Sequence, residues 1–435
     1  MSAITCKFGG SSLADTQAFK RVSDIIAANP GRRFIVPSAP GKRRPDDKKI
    51  TDLLYAWHSL ATQGLDVSEP RGIIAARFEQ LAVELKVDFN IHEHIEAIAS
   101  AENASPGPDF MASRGEYLNG LLLAKLLEAE FVDAADFIKF DEEGGLDPCT
   151  YDLLGARLKG PGRFVIPGFY GSLPDGTIKT FSRGGSDVTG AIVARASSSD
   201  LYENWTDVPG FLMADPAIVP ESHRIDEITY QELRELSYMG AKVLHDEAIF
   251  PVRQPGIPIN IRSTKEPDNP GTMILPRRDA TQLICGIAGR KGFTMLNIEK
   301  TLMNKERGFG RRVLAVLEEH GVSFEHMPTG IDTMSIIVED EELLNHGAAI
   351  VKGIERTCEP DRVSLNPGLA LIATVGQGMA GHTGVAGRLC MALAEAEVNI
   401  RVIDQGSSEN NIIIGVEEDD LERAVRAIYH EFADA

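Results

Sequence analysis

The chain has 435 residues, 43% of them hydrophobic and 25% charged, the composition of a soluble globular protein and not of a fibrous or disordered one. At roughly 100–200 residues per domain, this length predicts two or three domains. Its 64 Asp and Glu outnumber 44 Lys and Arg for a net charge of −20, which excludes nucleic acid and anionic membranes as general partners and requires any anionic ligand to meet local positive charge.

Residues 3–8 read as a short strand running straight into Gly9-Gly10-Ser11-Ser12, and residues 14–29 carry the apolar spacing of a helix. A second strand at 33–38 ends at Ala39-Pro40-Gly41; helical patterns follow from Thr51, from about residue 71 and over 112–129. Further strands are expected at 163–166, 178–181, 201–205 and 258–261. Strands alternating with helices over residues 1–275 predict one large α/β domain with a mainly parallel sheet. Residues 263–278, rich in Pro, Asp, Asn and Lys, read as a linker.

Beyond it the sequence repeats at an offset of 76 residues. HGVSFEHMPTGIDTMSIIVEDEE aligns with AEVNIRVIDQGSSENNIIIGVEE, setting Gly330 over Gly406, Ile337 over Ile413, Gly308 over Gly384 and Arg312 over Arg388. Each copy reads strand, helix, strand, strand, helix, the ferredoxin-like βαββαβ pattern. The second copy ends after its helix without a closing strand, and an apolar strand at 283–288 precedes the first copy without a partner there. The expected division is therefore 1–275, then 292–360 as one module and 281–291 plus 361–435 as the other, the two modules interleaved.

The five cysteines, Cys6, Cys149, Cys285, Cys358 and Cys390, form no CxxC pair, which argues against zinc and against a disulfide framework. The N-terminal MSAITCKFGGSS has no basic segment followed by an apolar one, and no run approaches about 18 apolar residues. A cytoplasmic protein with no membrane partner is expected.

Three constellations carry chemistry. In Lys7-Phe8-Gly9-Gly10-Ser11-Ser12, glycines at a strand end let backbone N–H groups approach a phosphate, and a lysine beside them neutralises charge. An ordinary tight turn would leave the same string, which is neither GxxxxGK[ST] nor GxGxxG. In Phe181-Ser182-Arg183-Gly184-Gly185-Ser186-Asp187 a second glycine turn enters a helix. There Arg183 offers a fork for a carboxylate, Ser186 a hydroxyl, and Asp187 either a helix cap or a ligand for an ammonium or Mg²⁺. In Trp205-Thr206-Asp207-Val208-Pro209-Gly210, a Thr-Asp pair at a strand end suits a base or ribose, and Lys242 in KVLH can reach phosphates. His245, on an apolar segment, reads as structural and not as a general base.

KFGGSS, SRGE at 113–116, FSRGGSD at 181–187, WTDVPG at 205–210 and KVLH at 242–245, in this order and spacing, resemble the aspartate kinases of the amino acid kinase superfamily, which carry two C-terminal ACT modules. The resemblance implies an amino acid kinase-like α/β sandwich with a mainly parallel central sheet, followed by two ferredoxin-like ACT modules, and Mg²⁺-ATP-dependent phosphorylation of L-aspartate in amino-acid biosynthesis. It also implies that Lys7 stabilises the transferring phosphoryl group while Gly9, Gly10 and Ser11 cradle phosphate oxygens. Asp187 would organise the charged centre. Ser38, Thr51, Glu116, Phe169, Arg183 and Ser186 would bind aspartate, with Glu116 on its ammonium and Arg183 on a carboxylate; Thr206, Asp207 and Lys242 would bind ATP. An amino-acid effector, lysine or threonine, would contact Asn304, Gly308, Phe309, Ile331 and Asp332, and the modules would join subunits into a homodimer or higher oligomer. No residue set is assigned to a protein-bound metal. The sequence departs from the family pattern at Ala217, where many members have arginine; Lys242 or the cluster Lys42, Arg43, Arg44, Lys48, Lys49 are the candidates to replace that contact. Two other readings stand beside this one: a different enzyme of the same fold, and a non-catalytic amino acid-binding protein with a degenerate kinase domain.

Overall fold

Strand Ile4–Phe8 is buried along its length and pairs in parallel with Arg32–Pro37 on one side and Leu201–Thr206 on the other. The structure, a computed structural model, describes residues 2–102, 107–182, 184–241, 244, 246–279 and 282–433. They form two units. The first comprises Met1–Phe211, Asp226–Leu233 and Lys242–Arg278, and the second Leu212–Ile225, Arg234–Ala241 and Asp279–Ala435.

Among the described residues, the main sheet of the first unit has eight strands in the order Glu130–Phe131, Phe164–Val165, Arg32–Pro37, Ile4–Phe8, Leu201–Thr206, Ile259–Ser263, Thr272–Leu275, Glu227–Thr229. The first six run parallel; Thr272–Leu275 is antiparallel to its neighbour and Glu227–Thr229 follows it in parallel. Register partners share a face. Cys6, Ile35 and Glu203 therefore lie together, with Phe8 and Trp205, against a core that includes Phe19, Trp57, Phe78, Ile95 and Leu122 from five helices, Thr16–Ala28, Ile50–Thr62, Ser68–Leu85, Ile91–Glu102 and Pro108–Leu126. Fully burying each such side chain stabilises by about 1.5–3 kcal/mol. Lys7, Val36 and Asn204 face the other way, towards helix Gly185–Ala196. That helix approaches closely because Gly190 has no side chain: a Cβ there would stand 2.4 Å from the Tyr202 hydroxyl.

The presumed linker is a correction. Thr272–Leu275 is a hydrogen-bonded strand of the main sheet, and the Pro- and Asn-rich stretch before it is a hairpin turn. Gly271, at φ 72°, packs so tightly on the Ile261 carbonyl that no other residue fits. Ile178–Thr180 also differs in setting, since it pairs antiparallel with Tyr170–Ser172 in a separate two-stranded sheet.

In the second unit the strand order is Thr333–Glu339, Gly286–Glu299, Arg362–Val375, Asn411–Glu417, Val402–Asp404, antiparallel throughout. Two of these strands are 14 residues long and serve two ferredoxin-like modules. Phe293–Glu299 pairs with residues 362–369, under a core that takes Phe309, Val313, Ile350 and Ile354 from helices Phe309–Glu319 and Gly347–Cys358. Residues 286–290 pair instead with 371–375, beside helix Leu421–Phe432, which packs on helix Val385–Glu395. The register shifts between Arg290 and Phe293, where Gly292 has φ 91°.

Candidate active site

The first glycine turn, the Ser38–Gly41 loop and Thr206-Asp207 follow the carboxyl ends of parallel strands, as in open α/β sheets, whereas the second glycine turn follows Ile178–Thr180 of the separate two-stranded sheet. Ile4–Phe8 delivers Lys7 and then Gly9, whose N–H donates to the Trp205 carbonyl at 3.0 Å. Gly10–Leu13 continues as a 3-10 helix. The loop after Arg32–Pro37 lies on this turn: the Gly41 N–H donates to the Gly10 carbonyl at 2.8 Å, and a Cβ on Gly41 would stand 2.6 Å from Gly10 main-chain atoms. Both glycines are required by this approach of backbone on backbone. Ser11 is exposed at the lip of the turn.

Lys7, 8% exposed, places its Nζ 2.5 Å from Oδ1 of Asp187, in the first turn of helix Gly185–Ala196. Asn204 Nδ2 donates to the same oxygen at 2.8 Å, and the Tyr202 hydroxyl to the Asp187 carbonyl at 3.0 Å. Ser186 is buried against Gly168, where a Cβ would stand 2.7 Å from its Oγ. Phe169 is held at φ 82°, strained for a residue with a side chain. Its N–H donates to Thr189 Oγ1 at 3.0 Å and its carbonyl accepts from Phe181 at 2.9 Å.

Helix Pro108–Leu126 supplies Glu116. The helix reaches the Ser38–Gly41 loop through Gly115, where a Cβ would stand 2.9 Å from that of Ala39. Glu116 is 6% exposed, and burial pushes its carboxyl up to about 7 although the Ala39 N–H donates to it. Its Oε2 has no hydrogen-bond partner among the described residues. Arg114 is held elsewhere, its guanidinium 4.5 Å and 4.6 Å from the rings of Phe110 and Tyr117. Ser38 is tied to the strand end by its N–H on the Phe8 carbonyl, and its carbonyl accepts from Asn119 at 2.6 Å. Thr51 lies in the first turn of Ile50–Thr62. Thr206 ends its strand, its hydroxyl donating to Asp207 at 3.2 Å.

Arg183 and Lys242, with His245, lie outside the described residues. Ala217 belongs to the second unit, its N–H donating to Asp215 at 2.9 Å. The basic cluster is largely engaged within its own unit. Arg43 binds Asp47 and, with Arg77, holds that carboxyl well below the usual range; Lys48 reaches Glu69 at 3.3 Å and Lys42 the Pro45 carbonyl.

In the second unit the two expected effector loops meet. Asn304 N–H donates to the Ile331 carbonyl at 3.1 Å, and the Asp332 carboxylate accepts from Leu302 N–H at 2.8 Å. Gly308 is left-handed at φ 77° ahead of helix Phe309–Glu319, and Phe309 is buried under Lys300.

Two further residues lie outside the motifs. Asn204 directly precedes WTDVPG, and on the opposite face Glu203 binds Arg32 at 2.8 Å, Trp205 Nε1 at 2.9 Å and Arg262 at 3.5 Å. Their signal was present, since adjacent Glu and Asn interrupt a strand that parallel pairing should make continuously apolar.

The amino acid kinase family model matches residues 3–263 and an ACT domain model residues 372–432. Aspartokinase 3 of Bacillus subtilis is 39% identical over 98% of both chains. The chain belongs to the aspartokinase family. Among aspartokinases of known structure, that of Clostridium acetobutylicum is 49% identical and superimposes with a TM-score of 0.92 over 99% of this chain and 100% of its own. Escherichia coli aspartokinase III, determined in complex with aspartate and ADP, is 28% identical with a TM-score of 0.78, covering 99% and 100%. The same enzyme with lysine and aspartate gives 0.76 over 99% of each chain. Among the described residues of this aspartokinase, no helix is long and apolar enough to cross a membrane.

Proposed function

We propose that this chain transfers the γ-phosphoryl group of ATP to the side-chain carboxylate of L-aspartate, giving 4-phospho-L-aspartate and ADP, and that lysine or threonine restrains it through the ACT modules. The observation that carries the substrate side is Glu116, a buried carboxyl with one oxygen unpartnered, suited to a substrate ammonium. The acceptor carboxylate has a pKa near 4 and is already ionised at neutral pH, so no general base is required. What opposes transfer is repulsion between that anion and polyanionic ATP. Positioning and positive charge then do most of the work. Lys7 draws charge off the phosphoryl group, Gly10 and Ser11 offer backbone amides, Gly9, whose own N–H is held by the Trp205 carbonyl, lets phosphate oxygens approach, and Asp187 fixes Lys7. Ser38, Thr51, Phe169 and Ser186 line the aspartate side, Arg183 takes the α-carboxylate, and Thr206, Asp207 and Lys242 hold the nucleotide.

Mg²⁺ is expected to enter on the nucleotide. Such a cation binds phosphate oxygens and keeps several of its waters. It would neutralise phosphate charge. Asn304, Gly308, Phe309, Ile331 and Asp332 are proposed as the effector contacts, with 292–360 as the first module, 281–291 plus 361–435 as the second, a homodimer or higher homo-oligomer through them and a cytoplasmic location.

A coupled assay of ADP release with aspartate, glutamate and UMP as alternative acceptors tests the activity. Turnover confined to aspartate is expected; equal or better turnover with either of the others, or none with aspartate, would overturn the reading.

A further inference from the structure

We propose that Asn204 is a positioning residue for phosphoryl transfer, whose side-chain amide holds the Asp187 carboxylate, and through it Lys7, in the orientation that aims the lysine at the transferring group. The inference rests on the roles given above to Lys7 and Asp187.

Lys7 Nζ and Asn204 Nδ2 converge on one oxygen, Asp187 Oδ1, at 2.5 Å and 2.8 Å. The amide can point only one way, because the reversed group would set its oxygen against a carboxylate oxygen. Lys7 and Asn204 are register partners on adjacent parallel strands, about 4.8 Å apart in backbone, so both reach the same point from one sheet face. Asn204 is 2% exposed. A primary amide is costly there unless bonded, and an apolar residue is what such a strand ordinarily carries.

The same strand also grips Asp187 by its main chain. Tyr202, two residues earlier and on the same face, donates to the Asp187 carbonyl at 3.0 Å and fills the space that Gly190 leaves open. The Leu201–Thr206 strand thus fixes both the backbone and the carboxylate of Asp187 through side chains with only two rotatable bonds each, whereas Lys7 reaches it on a flexible four-carbon stem. An amide adds no charge, so the balance between Lys7 and Asp187 is untouched. One proton of the ammonium is directed to Asp187, and two remain for phosphate oxygens. Without Asn204 the carboxylate can rotate, and the lysine follows it.

Steady-state kinetics of Asn204→Ala and of Asn204→Leu, which keeps the branched outline without the polar groups, test this. Both should lose about 10- to 100-fold in kcat, with KM for aspartate and ATP changed by less than about threefold. On an Asp187→Ala background Asn204→Ala should lower the residual rate no further, an outcome a general structural role would not give. Wild-type kcat in both variants, the same loss in the Asp187→Ala background, or failure of both variants to fold by circular dichroism would overturn the proposal. Lys7→Ala separates the two readings: full turnover there removes the role of Lys7 itself, whereas a dead Lys7→Ala beside normal Asn204 variants removes only that of Asn204.

Discussion

Glu116 keeps its proton to about pH 7 because burial penalises the carboxylate more than the Ala39 N–H stabilises it. The unfolded chain releases that proton near 4.5, so the stability tied to it is complete below about 4.5 and is lost as pH rises through about 7. A shift of this size corresponds to about 3 kcal/mol. In urea unfolding of the ligand-free chain, Glu116→Gln should match wild type near pH 4.5 and exceed its stability at pH 8 by up to that amount; parallel pH curves would contradict it. A substrate ammonium needs the ionised form. The KM for aspartate should therefore fall as pH rises from about 6 to 8, and in Glu116→Gln it should be higher and flat. Lys7 acts on the transferring group and not on the ground state of aspartate, so Lys7→Ala should lower kcat by about 10²- to 10³-fold with little change in the aspartate KM. Near-normal turnover would remove Lys7 from the mechanism.

Within the sheet, four strands meet at Glu203, which holds Arg32, Arg262, Trp205 and the Cys6 thiol. Its side chain is 3% exposed, and burial beside this carboxylate pushes the Cys6 thiol well up. Glu203→Ala would leave Arg32 buried without its partner, at an expected cost of about 3–5 kcal/mol; a denaturant midpoint within error of wild type would show that water or rearrangement compensates. These elements also show how much the sequence disclosed. A short strand running straight into two glycines is a local signal, and it pointed to Lys7 and the turn. FSRGGSD located Ser186 and Asp187 in the same way. Residues 263–278 misled because a proline-rich hairpin turn and a linker share a composition, and only pairing with Ile259–Ser263 distinguishes them. Glu203 and Asn204 showed in the sequence as an interruption of the strand but not in their separate roles, since alternation sends one to a buried ionic knot and the other to Asp187, and Arg32 and Asp187 are 171 and 17 residues away.

For the whole molecule, the test is whether the second unit governs the first. Initial rates at subsaturating aspartate, with lysine and threonine titrated singly and together, should show inhibition by at least one. A coupling of about 1–3 kcal/mol would raise the apparent aspartate KM about 5- to 150-fold. Asp332→Ala removes the cap on Leu302 N–H and should move the inhibition midpoint upward while leaving the uninhibited rate unchanged. Insensitivity to both amino acids would leave the modules an architectural role only. The repeat at offset 76 exposed two copies of one module, because repetition is a property of sequence; that both copies share two 14-residue strands is a property of pairing.

Those shared strands bear on how the chain is made. Gly286 pairs with Val375 and Glu299 with Arg362, so the strand that is synthesised first waits for a partner at least 60 residues behind it on the ribosome. At roughly 5–20 residues per second that is several seconds during which Leu296 and Ile298, fully buried in the finished unit, lie on an open strand edge. The edge of Phe293–Glu299 stays open until residues 362–369 have emerged, and these continue directly into residues 371–375, which close on residues 286–290. A nascent chain arrested before residue 362 should therefore occupy chaperones instead of accumulating as a folded half.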